Sequence, residues 1–140
     1  MERAGGEVVE PKKDLPKKGL YHFDETAKHY FALYIVNGNI DFERIKADIG
    51  RYNAENYPLL NLQITQAMSG NQQIVLVGML PDAASATSYL LRIVKDRSLF
   101  AGLQGATFRN LIITQENLDS LNRIGNPDVY MNFLREHYLR

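Results

Sequence analysis

The 140-residue chain contains no cysteine, which removes disulfide staples, thiolate nucleophiles and thiolate metal ligands from the chemistry open to it. That absence leaves the compartment open, because cysteine-free chains occur both in the cytosol and outside it. Charge of one sign is missing too. Sixteen Lys and Arg balance sixteen Asp and Glu, so no general attraction to nucleic acid or anionic lipid is expected. No apolar run approaches the roughly 20 residues that span a bilayer, and the amino terminus lacks the apolar core of a signal peptide. No direct membrane span is therefore expected in this sequence, and an export signal, for an exported protein, would lie upstream of Met1. Phosphate-cradling loops are absent, since neither GxxxxGKS/T nor GxGxxG occurs. The three histidines, His22, His29 and His137, stand apart, with no HExxH and no paired metal spacing. Surface or capping roles are expected for them, with no catalytic residue, metal or cofactor. Asp24-Glu25-Thr26 reads as a cap or loop rather than an acidic cluster.

A chain of this length suits about one domain, able to bury roughly two thirds of its unfolded surface without staples. Residues 1–27 hold Pro11, Pro16, Gly5, Gly6 and Gly19 among mixed charges, including Lys12-Lys13 and Lys17-Lys18 interleaved with Glu7, Glu10 and Asp14. This composition predicts a solvated linker or arm. The folded domain is expected over 28–140.

His29 to Val36, HYFALYIV, is aromatic and β-branched and apolar on both faces, with Tyr30, Ala32, Tyr34 and Val36 opposed to Phe31, Leu33 and Ile35. It predicts a strand in a sheet interior. After the Asn37-Gly38-Asn39 turn, Asp41 can cap a helix with Phe42, Ile45, Ile49 and Tyr52 at helical spacing, ended at Asn56 to Pro58. Leu60 to Ala67 alternates, Leu60, Leu62 and Ile64 against Asn61, Gln63 and Thr65, which suits an edge strand with one wet side. Ser69-Gly70-Asn71 turns the chain into Ile74 to Leu80, a second strand apolar throughout. Pro81 stops it and Asp82 caps a helix carrying Ala83, Ala86, Leu90, Ile93 and Val94. Asp96 to Gly105 reads as a loop with Leu99, Phe100 and Leu103 as a satellite cluster. Phe108 to Thr114 is a fourth strand. Thr114 caps a short helix with Leu118, Leu121 and Ile124 that Gly125 ends, and Asn126-Pro127 starts a last helix with Val129, Tyr130, Phe133, Leu134 and Tyr138.

Strand, helix, strand, strand, helix, strand is the split βαβ order called ferredoxin-like. The fold class is therefore α+β: a four-stranded antiparallel sheet in the order 4-1-3-2, two crossover helices on one face, and extra carboxy-terminal helices. The two strands that topology makes central are the two that read apolar throughout. Tyr30 and Tyr34 fall on the opposite face and need the last helix, another chain or a ligand, with burial under that helix the simpler expectation. The acylphosphatase use of this arrangement needs an anion loop with an arginine after the first strand, and Asn37-Gly38-Asn39-Ile40 has none. RNA recognition needs base-stacking aromatics on both central strands, and Ile74 to Leu80 has none. Neither an enzyme nor a nucleic-acid binder is expected. The candidate interaction surface is Tyr30 and Tyr34 with the wet side of the edge strand, Asn61, Gln63 and Thr65.

HFDETAKHYFALYIVNGNIDFERIKADIGRYNAENY, LNLQITQAM, NQQIVLVGMLPDAASATSYLLRIV, TFRNLIITQENLDSL and NPDVYMNFLREHY together resemble the carboxy-terminal domain of Bacteroidetes tetratricopeptide-repeat lipoproteins of the PorW/SprE type. The likeness runs from about Tyr21 to Tyr138 and lies in segment order and short phrases such as the HYF opening. It implies a cell-envelope protein-interaction module in the periplasm or at the outer membrane, linked to type IX secretion and gliding, with an envelope protein as partner. The VGMLPDAA phrase at Val77 to Ala84 is similar to SPOR domains, which implies peptidoglycan glycan binding across the sheet as the alternative.

Overall fold

The computed structural model describes residues 20–139. Of the expected arm, residues 1–19 lie outside the described residues. Its last part, Leu20 to Ala27, is packed against the domain, with Tyr21 buried.

The element order is β1 (His29–Asn37), α1 (Phe42–Asn56), β2 (Gln63–Ser69), β3 (Gln72–Leu80), α2 (Ala83–Ile93), a 3-10 helix (Arg97–Leu103), β4 (Thr107–Ile113), α3 (Gln115–Ile124) and α4 (Pro127–His137). The four strands form one antiparallel sheet in the order β2-β3-β1-β4. This is the expected order read from the other edge. β1 and β3 are central because their side chains are apolar on both faces and can be covered on both. Phe31, Leu33, Val75 and Val77 are at most 1% exposed.

Local chemistry starts the helices where the sequence predicts. Asp41 caps α1 by accepting from the Arg44 N–H, and Asp82 caps α2 by accepting from the Ser85 N–H at 2.8 Å. Thr114 accepts from Asn117 N–H at the start of α3, and Asn126 from Asp128 N–H ahead of Pro127 at the start of α4. Gly125 ends α3 at φ 76°. Pairs such as Phe31 and Tyr89, ring centroids 5.3 Å apart, join the first face of the sheet to α2.

Four expectations shift. β2 begins at Gln63, because Asn61 takes a left-handed φ of 55° and breaks the extended run. Tyr89, not Val94, completes the buried stripe of α2. Val94 is the C-cap, 37% exposed, whereas Tyr89 donates its hydroxyl to Asn53 Oδ1 of α1 at 2.6 Å. The Asp96 to Gly105 segment is not a plain loop. Asp96 caps its 3-10 helix through the Ser98 N–H, and Leu99 and Leu103 belong to the main core rather than to a satellite. Ile124 at the end of α3 stays partly exposed, while Asn117 is buried in its place.

The second face of the sheet carries Tyr30, Ala32, Tyr34, Ile74, Leu76 and Leu111. It lies under α3, α4 and the Leu20 to Phe23 segment, whose Tyr21, Leu118, Leu121, Tyr130 and Leu134 share one core with it. Gly78 sits where the Tyr30 ring crosses β3, and a Cβ there would meet Tyr30 Cδ1 at 2.8 Å.

Candidate functional site

The five residues of the predicted surface do not come together. Tyr34 is fully buried, its hydroxyl donating to Gln72 Oε1 at 2.8 Å beside Ser69 Oγ. Gln72 in turn donates from Nε2 to the Val36 carbonyl, so Tyr34 closes the β2-β3 turn onto β1. Tyr30 is half-buried, with its hydroxyl on Gln115 Oε1 at the start of α3. Tyr34 is spent on joining the β2-β3 turn to β1 and Tyr30 on meeting α3, because a phenol placed on an apolar sheet face must find a polar partner when covered. Asn61 is exposed in the turn before β2. Gln63 and Thr65 are exposed on β2 itself, as is Gln66.

What remains open is the outer edge of β2. In an antiparallel ladder the N–H and C=O of one residue point to the same side, and the side alternates along the strand. On the far edge of the sheet, the Ile112 carbonyl is taken by the Tyr130 hydroxyl at 2.6 Å, which marks Ile112 as a residue whose polar groups face away from β1. The alternation then carries across the registers Phe31↔Ile112, Phe31↔Val77 and Thr65↔Leu76. Thr65 and Ala67 bond to β3, and the backbone groups of Ile64, Gln66 and Met68 point outward. The two edges therefore differ. On β4 the helix α4 supplies a hydroxyl to the rim, whereas on β2 no described residue takes those outward groups.

The rim of β2 also lacks the usual guards. Its seven residues, QITQAMS, carry no charge and no proline, and its pairing with β3 runs without a bulge. Met68 is 53% exposed beside it. A strand edge of this composition can accept an extended chain through main-chain hydrogen bonds.

Two clefts flank Phe23 and His137, whose rings stack at 5.7 Å. One, of about 470 Å³, lies between Thr26, Asp82 and Tyr138, and the other, of about 610 Å³, between Tyr21, Val129 and Phe133. Their phenols are weak acids. Burial pushes Tyr21 and Tyr138 up to about 12, so both keep their protons at neutral pH. His29 is fully buried with Nδ1 on the Ala27 carbonyl and Nε2 on the Tyr138 hydroxyl, and burial holds it below the usual imidazole range. Its two nitrogens are occupied structurally. Among the described residues, no cluster of three or more His, Asp and Glu side chains is placed to hold a metal ion, and no helix is long and apolar enough to cross a membrane.

The open edge was legible in part: the sequence places Gln63 and Thr65 on an edge strand. The residues whose backbone matters, Ile64, Gln66 and Met68, were not singled out, because side-chain alternation does not say which way the peptide groups of a strand point until its neighbour is known. No protein-family model, curated protein or solved structure matches the chain.

Proposed function

We propose that the chain is a ferredoxin-like, non-enzymatic protein-interaction module that holds its partner by strand addition along β2. The observation that carries this reading is the uncharged outer edge of β2, with the peptide groups of Ile64, Gln66 and Met68 turned outward. The strand, helix, strand, strand, helix, strand order and the central places of β1 and β3 support the ferredoxin-like assignment. The resemblance to the PorW/SprE-type domain supplies the setting: an envelope protein, periplasmic or outer-membrane associated, linked to type IX secretion and gliding. The SPOR-like alternative needs an open second sheet face for glycan. With α3, α4 and Tyr21 over that face, the edge of β2 is the better-supported surface.

The test is a photo-crosslinking residue at position 66 in the full chain, in the cell that makes it, against the same residue at Ser88 on the exposed side of α2. Covalent protein adducts from position 66 and not from 88 are expected. Equal labelling at both positions, or none at 66, would sink the reading.

A further inference from the structure

Resting on the strand-addition reading, we infer that the extended chain seated on β2 is the β2 of a second copy, giving a twofold dimer with one continuous eight-stranded sheet. The rim of β2 is complementary to itself. In an antiparallel pairing centred on Gln66, the two Gln66 residues face each other, and Ile64 of each copy faces Met68 of the other. Those three residues are the ones with outward peptide groups, so every outward N–H and C=O of the central rim meets a partner.

Side chains agree with the same register. On the face that carries α1, Met68, 53% exposed in the single chain, comes beside the half-buried Ile64 of the other copy. On the opposite face, Thr65 meets Ala67 and Gln63 meets Ser69, all uncharged. A partner strand of one charge would gain no electrostatic preference from QITQAMS, and a second QITQAMS meets no like charge directly across. Slipping one strand by one residue would oppose Ile64 to Ala67 and turn outward groups against inward ones, and of the slips by two that keep outward groups together, only the pairing centred on Gln66 matches all three outward residues of β2 with one another.

The chain has no cysteine, so single cysteines read this register directly. Hydrogen-bonded antiparallel pairs lie with Cα atoms about 5.5 Å apart, inside the disulfide range. Gln66→Cys is therefore expected to form a covalent dimer on mild oxidation. Met68→Cys alone, its two copies offset by about 14 Å along the strands, should not do so, whereas mixing Ile64→Cys with Met68→Cys should yield the heterodimer. In sedimentation equilibrium, the full chain should show reversible dimerisation, weakened about tenfold or more by Gln66→Lys, which sets two like charges face to face.

A chain monomeric up to millimolar concentration, a dimer indifferent to Gln66→Lys, or self-linking of Met68→Cys as fast as that of Gln66→Cys would each overturn the dimer. Photo-adducts from position 66 to a different protein alongside a monomeric chain would overturn self-pairing and leave strand addition standing. Monomer and no adduct at 66 would remove both.

Discussion

His29 Nε2 and Tyr138 Oη lie 2.8 Å apart although 109 positions separate them in the chain. The other ring nitrogen faces the Ala27 carbonyl, which can only accept, so Nδ1 donates there and Nε2 accepts from the phenol. The start of β1, the segment before it and the residue that ends α4 are thereby joined through one neutral imidazole.

Removing that phenol should be felt. Tyr138→Phe leaves Nε2 buried without a donor, and a loss of about 1–2 kcal/mol is expected in urea denaturation at pH 8. The pH dependence follows from burial, which lowers the His29 pKa from its ordinary value of 6.5 and outweighs the Ala27 carbonyl, Asp24 and Asp82, all of which act to raise it. The unfolded chain then binds the proton more readily, so this contribution is whole above about pH 6.5 and shrinks as pH falls through that value toward the folded pKa. Wild type should lose stability relative to His29→Gln between pH 8 and pH 5, measured by urea midpoints at both. A difference that stays constant across that range would rule the account out.

Tyr21 ties the segment before β1 into the core. Its ring meets Tyr130 edge-on at 4.9 Å, and four residues on, the strap reaches α2, where the Ala83 N–H donates to the Glu25 carbonyl. Between them, the His22 backbone exchanges two hydrogen bonds with the buried Asn117 side chain. Tyr21→Ala should cost about 3–5 kcal/mol, the scale of an aromatic deleted from a core. Deleting residues 1–27 should cost at least that much more than deleting 1–19, measured by thermal or urea unfolding of the two truncations. Equal stability of the two would show that Leu20 to Ala27 contributes nothing.

Two turn glycines should respond differently to the same change. Gly38 has φ 94° and its missing Cβ would sit 2.9 Å from Ala106 Cα, whereas Gly70 has φ 61° and nothing within 4 Å. Gly70→Ala therefore carries only the left-handed penalty of about 1–2 kcal/mol. Gly38→Ala adds a backbone clash that the neighbouring loop must yield to, and its loss should exceed that of Gly70→Ala clearly. Matched denaturation curves of the two variants check this, and equal losses would refute it.

Much of the architecture is readable from short-range signals. Asp41, Asp82, Thr114 and Asn126 cap their helices because a side-chain oxygen two or three residues ahead of a free N–H is a purely local arrangement. The two strands apolar along their length on both sides took the central places, where both edges are paired and both faces are covered. Tyr21 escaped that reading because one aromatic among prolines, lysines and glycines has no periodicity, and its burial depends on Tyr130 and Phe133 being carried to it by α4. Tyr34 was placed on the correct face, but whether that face met water was settled by a helix more than ninety residues downstream.

The residues themselves determined where elements begin, which strands sit inside and that β2 is uncharged, because propensity, capping and alternation act within a few positions of chain. Only the folded molecule decided what covers the second face, and that β4 receives a hydroxyl at its rim while, among the described residues, β2 receives none. Those outcomes depend on which peptide groups and side chains meet across the sheet, and such meetings are set by packing between segments far apart in the chain.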